Sequence, residues 1–369
     1  MKQLAKAFSV IGIGVMSFGC GANDPAEADV AVAQSGLSGN IIRPGSIVVP
    51  AYFGNDADYT EISGPPNSTL PEIAVLNAGC DYTGQMDSQG NCLVGGGPGP
   101  SRDTYIHDKM IFLRSHGVKV FAYVYTGGLT DAGAAPDGTH PATHYRSTQD
   151  IYLDMVFWVN NYLDNSNHYT MFNGFFFDAA DRQNTTGVGP AAYLAHWAGQ
   201  YASFSGTAVG ETGQSTPGRA IFNWGATSMN QSLMQSYFDC LLLKNTNSWN
   251  YFVLEETYKA TFMISTMPAW AQYRYDPTHF MTIIHDSSPN DGTDVNAIVS
   301  RAVTSWDSAY VYVTDQTEPN PYAVAPSVPV WNAEVSQQSG HNSVYNFGTA
   351  PDQLNACNYA DSNSTPAFP

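Results

Sequence analysis

A chain of 369 residues with 43% hydrophobic and 13% aromatic content has the material for a sizeable core, which excludes a largely disordered protein. Its 14 Lys and Arg stand against 32 Asp and Glu, a formal net charge of −18, which argues against nucleic acid or an anionic membrane surface as the main partner. A neutral or cationic partner fits that balance better.

Residues 1–20, MKQLAKAFSVIGIGVMSFGC, set Lys2 and Lys6 ahead of an apolar run that ends on Gly19-Cys20. The run is too short for a membrane span and reads as an export signal, followed either by plain cleavage or by lipoprotein-type acylation of Cys20. Membrane contact is expected only through that anchor. Residues 21–40, rich in Ala, Gly, Ser and Asp, read as a flexible tether. Four further cysteines, Cys80, Cys92, Cys240 and Cys357, allow three pairings in an oxidising compartment. Cys80 and Cys92 bracket one loop and are the expected pair, which leaves Cys240 and Cys357 to tie the tail to the body.

From Ile41 onward, apolar segments recur, each ending in polar residues. In order they are Ile47–Phe53, Ile73–Gly79, Val118–Thr126, Gly174–Ala180, Ala220–Ala226, Tyr251–Glu256, Phe280–Asp286 and Ala309–Asp315. Continuous β-branched and aromatic runs are what strands buried on both faces require, so these eight predict a parallel sheet. Helical stripes lie between several of them: Ile106, Met110 and Leu113, with Gly117 as a C-terminal cap; Ile151, Met155, Trp158 and Tyr162; and the segment from Asp294 to Trp306. This rhythm predicts an α/β fold, a (β/α)8 TIM-type barrel in a single domain over residues 41–335, with a C-terminal extension over 336–369. An open doubly wound sheet is the alternative. It lacks support because GGGPGPSR (Gly95–Arg102) has neither the spacing of a dinucleotide loop nor the Gly-Lys of a P-loop.

In a barrel, functional groups gather at the carboxyl ends of the strands. The polar residues there include Tyr52, Asn77, Tyr125, Asp178, Asn223, Glu255 with Glu256, His285 and Asp315. No lysine among them could form a Schiff base, no Gly-x-Ser-x-Gly elbow supports acyl transfer, and basic phosphate clamps are lacking. No cofactor or metal motif is present either. Carboxylates among aromatics suit glycoside hydrolysis, with Tyr52, Tyr125 and Trp224 as sugar-stacking faces. The plainer roles are a helix cap for Asp178, a structural hydrogen bond for His285 and a turn former for Asp315. Glu255, inside an apolar strand, is harder to explain plainly, because a buried carboxylate without a partner is costly.

The ordered series VVPAYF, LNAG, GVKVFAYVYT, GFFFDAA, FNWGA, VLEETY, IIHD and VYVTDQTEPNPY resembles the spherulin-4-like cell-surface proteins over about Ile47 to Trp331. That resemblance implies a (β/α)8 barrel and hydrolysis of polymers containing α-1,4-linked N-acetylgalactosamine. The family's fourth strand ends Phe-Asp-Glu and its sixth Phe-Glu, so Asp178 and Glu255 stand at expected catalytic positions. Ala179 replaces the middle glutamate, with Asp181 or Glu256 in reach to substitute. The expectation is an exported hydrolase of an amino-sugar polysaccharide, which is cationic where deacetylated. Its catalytic residues would be Asp178, Glu255 and Asp181, and its substrate-binding residues Tyr52, Asn77, Tyr125, Asn223, Trp224, His285 and Asp315. The alternative is a catalytically degenerate glycan-binding or structural surface protein.

Overall fold

A computed structural model describes residues 40–44, 46–63, 71–88, 90, 92, 95–126, 146, 148–164, 169–180, 219–223, 250–267, 275, 277–289, 292–317, 320–340 and 342–346. The export signal, most of the tether, Asp181, Trp224, Cys20, Cys240 and Cys357 lie outside them.

The eight expected segments are the eight strands of a closed parallel barrel. They are β1 (Ser46–Pro50), β2 (Ile73–Leu76), β3 (Lys119–Tyr125), β4 (Gly174–Asp178), β5 (Arg219–Asn223), β6 (Asn250–Tyr258), β7 (Phe280–His285) and β8 (Tyr310–Val313). Each pairs with its neighbours in chain order, and β8 returns to β1. The described helices are α1 (Asp56–Ser63), α2 (Thr104–Ser115), α3 (Thr148–Asn161), the single turn α4 (Lys259–Phe262), α5 (Val295–Ser305) and α6 (Val328–Gly340). Outside the barrel, Asn40–Pro44 pairs antiparallel with Asn342–Asn346, so the chain on either side of the barrel meets in one small sheet.

Local chemistry explains the helix boundaries. Asp103 caps α2 by accepting from the Tyr105 and Ile106 amides at 2.7 and 3.3 Å. At the other end Gly117 takes φ +81°, and its amide reaches Arg114 O at 2.9 Å. The expected stripe of α3 is the packed one, since Ile151, Met155 and Trp158 and the adjoining Tyr162 are all fully buried. Trp158 Nε1 also donates to Tyr123 O at 2.7 Å, which ties α3 to β3.

Alternation along each strand sorts its side chains between the barrel interior and the helix layer. Phe175, Phe177, Phe222 and Phe252 form a stacked row on the outer surface, with successive centroids 6.1, 5.4 and 5.5 Å apart. Each contributes about 2–3 kcal/mol through burial. Inside are Phe121, Tyr123, Phe176, Tyr251 and Tyr310, in edge or stacked contacts. At the amino end of the barrel, Glu72 accepts from Lys119 Nζ at 2.6 Å and from the Tyr310 hydroxyl at 3.2 Å, while Arg219 donates to the Tyr251 hydroxyl at 2.6 Å. Gly174 permits the close β4–β5 approach, because a β-carbon there would run into Arg219 O and the Phe121 ring.

Candidate active site at the barrel mouth

The run Phe175–Phe177 is buried on both faces and carries Asp178 to the carboxyl end of β4. The Asp178 backbone is held there by Thr126, whose amide and hydroxyl both donate to Asp178 O, at 3.0 and 2.6 Å. Immediately after it, Ala179 takes φ +53°, a left-handed conformation that a residue with a β-carbon adopts at some cost. After it, the Ala180 amide bonds Asn223 O at 2.9 Å.

The Asp178 carboxylate accepts from the Tyr123 hydroxyl at 2.5 Å through Oδ2 and from Asn223 Nδ2 at 2.7 Å through Oδ1. The same Asn223 nitrogen donates to Glu256 Oε2, and Glu256 Oε1 accepts from the Tyr322 hydroxyl at 2.5 Å. Two carboxylates from strands β4 and β6 are thus bridged by one amide, and each is held by a tyrosine. The Tyr52 ring meets Tyr123 edge-on at 5.2 Å and Tyr322 at 5.9 Å, between the two carboxylate clamps. Burial, reinforced by the Asp178 and Glu256 charges, pushes the Tyr52 hydroxyl well above the ordinary range. Burial together with Asp178 does the same to Tyr123, and burial together with Glu256 to Tyr322. All three therefore keep their protons near neutrality, and Tyr123 and Tyr322 act as fixed donors.

Glu256 stands at the mouth, rather than Glu255, because of a β-bulge. Val253 pairs with Met281 and Glu255 with Thr282, so Leu254 has no counterpart on β7. The extra residue shifts the alternation. Val253 shares the inner surface with Met281, whereas Glu255 takes the outer surface of Phe252, and Glu256 is returned to the inside beside Ile283. Glu255, assigned to the outer layer by that alternation, is buried at 3% exposure.

The other expected residues divide in the same way. Tyr52, Asn77, Tyr125, Asn223 and His285 all follow the inner alternation. Of these, the Asn77 side chain serves the neighbouring loop, accepting from the Gly79 and Gly97 amides at 3.0 Å each. Tyr52 packs at steep angles against two tyrosines, Tyr123 and Tyr322. Asp315 turns away, and its Oδ1 accepts from the Ser327 amide at 3.0 Å on the approach to α6. His285 is buried beneath Tyr258, with ring centroids 4.4 Å apart. Burial lowers its pKa, against a smaller opposing effect from Asp286, so the ring is neutral at pH 7.

Two contributors were absent from the expected set. Tyr123 lies mid-strand and is found only by following the alternation of β3. Tyr322 belongs to the TEPNPY segment, and nothing local shows that this loop folds back over β6.

The wall beside Tyr123 comes from Gly96, in the segment just beyond the Cys80–Cys92 disulfide, the expected pair. A β-carbon at Gly96, φ +82°, would strike the Tyr123 ring and the Asn77 amide, so glycine is what lets the loop close on the mouth. Beneath it, Arg146 donates to Asp154 Oδ2 and Tyr125 O at 2.5 Å each, and lies 3.7 Å from Asp81 Oδ2. Among the described residues no cluster of His, Cys, Asp and Glu has the geometry to hold a metal ion, and no helix is long and apolar enough to cross a membrane.

A family model described as Spherulin4, spherulation-specific family 4, matches residues 92–337. No curated protein matches the chain. Among solved structures, the crystal structure of Aspergillus clavatus Sph3 in complex with GalNAc superposes with a TM-score of 0.52 at 18% identity, covering 80% of this chain and 98% of that one. At that identity the likeness concerns the fold. The catalytic domain of a hyperthermophilic chitinase from Pyrococcus furiosus is more distant, with a TM-score of 0.42 at 10% identity, covering 82% of this chain and 99% of that one.

Proposed function

The chain belongs to spherulation-specific family 4, and from that premise we propose that it is a glycoside hydrolase acting on a polysaccharide rich in N-acetylgalactosamine, with Asp178 and Glu256 as the reacting pair. The observation that carries the reading is the shared Asn223 amide. Two hydrogen bonds donated by one nitrogen hold the carboxylate oxygens within about 6 Å of each other. Retaining glycosidases place their carboxyls about 5–5.5 Å apart, whereas inverting ones need roughly 6.5–9.5 Å for an intervening water. Retention of anomeric configuration is therefore expected, by attack of Asp178 on the anomeric carbon as the leaving oxygen departs.

In this scheme Glu256 enters the reaction protonated and delivers that proton to the leaving oxygen, while ionised Asp178 faces the positive charge that develops on the ring. Tyr123, Tyr322 and Asn223 fix both carboxylates before substrate arrives. The GalNAc in the Sph3 complex supports an amino-sugar ligand, and the formal charge of −18 favours capture of partly deacetylated, cationic polymer. An exported location belongs to the same proposal, supported by the leader-like residues 1–20 and by the disulfide, a bond that persists in oxidising compartments.

The test is reducing-end release from an N-acetylgalactosamine and galactosamine polymer by wild type and Asp178→Asn. Loss of release in the variant is expected, and undiminished release removes Asp178 from the mechanism. One observation favours a second reading, a glycan-binding protein without turnover: Ala179 occupies the position where the resembling family keeps an acid, and it does so in a left-handed conformation. That reading predicts polymer binding with no product from the wild type.

A further inference from the structure

The aromatic residues that line the mouth are mostly consumed by packing. Tyr52, Tyr123 and Tyr322 are held edge-on or hydrogen-bonded around the carboxylates. Tyr258 differs. It ends β6 with 44% of its surface exposed, one of the few large side chains among the described residues left so open. The bulge at Leu254 that brings Glu256 inside also sets Tyr258 on the same surface, two residues further along the strand. In extended chain that is about 6.6 Å, close to the length of one sugar residue.

Its seat is also built. Tyr258 pairs in register with His285, and the two rings meet at 4.4 Å with an interplanar angle of 67°. Buried His285, neutral for the reason given above, supports one part of the phenol ring while leaving the rest to solvent. A rigid, amphipathic ring braced from behind suits the apolar face of a pyranose, and its ordering entropy is small because few torsions need fixing.

We propose that Tyr258, braced by His285, is the stacking platform of a separate sugar-binding subsite, one residue along the polysaccharide from the ring held between Asp178 and Glu256. The inference rests on the glycan-processing reading of the mouth and adds a specificity determinant to it: affinity that grows with oligosaccharide length. The Tyr258 hydroxyl is not required, so any aromatic ring should serve.

The experiment titrates wild type, Tyr258→Ala and Tyr258→Phe with N-acetylgalactosamine and with α-1,4-linked N-acetylgalactosamine oligosaccharides of increasing length, by calorimetry and by product release. Loss of an aromatic anchor typically costs about tenfold in affinity. Tyr258→Ala should lose about that much on the oligosaccharides and little on the monosaccharide, with kcat nearly unchanged and KM raised, while Tyr258→Phe behaves as wild type. Thermal unfolding of the alanine variant should fall only slightly, since the ring is 44% exposed and packs on His285 alone among the rings described. A wild type that binds oligosaccharide, with Tyr258→Ala equally tight at every length, overturns the platform alone. Binding without cleavage overturns the hydrolase reading and leaves the platform standing. A wild type that binds no oligosaccharide overturns both.

Discussion

Exchanging the two neighbouring glutamates of β6 one at a time tests whether the bulge selects the catalytic acid. Glu256→Gln keeps the length of the side chain and removes its ability to carry a proton. It also turns one accepting oxygen into an amide group, which then faces a donor, either the Tyr322 hydroxyl or Asn223 Nδ2. General acid–base participation is worth about 10²–10⁴-fold, or roughly 3–5.5 kcal/mol of transition-state stabilisation. Release of reducing ends by Glu256→Gln should fall by that factor in both kcat and kcat/KM, because the lost interaction operates in the transition state. Glu255→Gln alters a buried carboxylate on the outer surface, beside the alternation of Phe252. Its kcat should stay near the wild-type value, and its effect should appear in thermal unfolding. The reasoning fails if Glu255→Gln abolishes turnover while Glu256→Gln retains it, since the bulge would then not decide which glutamate meets the substrate.

Three further outcomes follow from the same structure. Ala179→Gly should raise stability by about 1 kcal/mol in denaturant unfolding, because glycine adopts the left-handed conformation without the β-carbon penalty; an unchanged or lower midpoint would contradict the strain. Asp154 has its pKa pushed up to about 6, chiefly by burial, which outweighs the opposing pull of Arg146. A carboxyl raised in the folded state binds its proton more tightly there, so wild-type stability should fall by about 3 kcal/mol as pH rises from about 3.8 through 6. Asp154→Asn cannot titrate and should flatten that part of the profile in pH-dependent unfolding. Replacing Cys80 and Cys92 by serine opens a loop with a sequence separation of 12 and should cost about 3 kcal/mol on chain-entropy grounds. Because Cys80 bridges to Gly95, next to the Gly96 that walls Tyr123, activity should drop even below the unfolding transition.

Much of the barrel was legible because it is written in short-range pattern. Runs such as Phe175–Phe177 can be satisfied only by a strand covered on both faces, and the stripe of Ile151, Met155, Trp158 and Tyr162 only by a helix with one buried side. Reading the polar residues at the strand ends placed Tyr52, Asn77, Tyr125, Asp178, Asn223 and His285 together at one end of the barrel. Strict alternation fails at Leu254. A single residue without a partner on β7 reverses every later side chain of β6, and whether a residue is paired depends on a strand about thirty positions away. The family resemblance pointed to Glu255, whereas the strand pairing returns Glu256 to the inside beside Ile283. Asp315 followed the opposite surface for a related reason, since the chain beyond β8 turns toward Ser327 and the start of α6. Tyr322 reaches Glu256 across a separation of 66 residues, and no local feature marks that contact. By itself the sequence determined the strands, their burial and the acid that ends β4, because these follow from hydrophobic period and local sterics. Only the tertiary structure decided which glutamate joins Asp178 and which tyrosines hold the pair, because both depend on register and loop closure between distant parts of the chain.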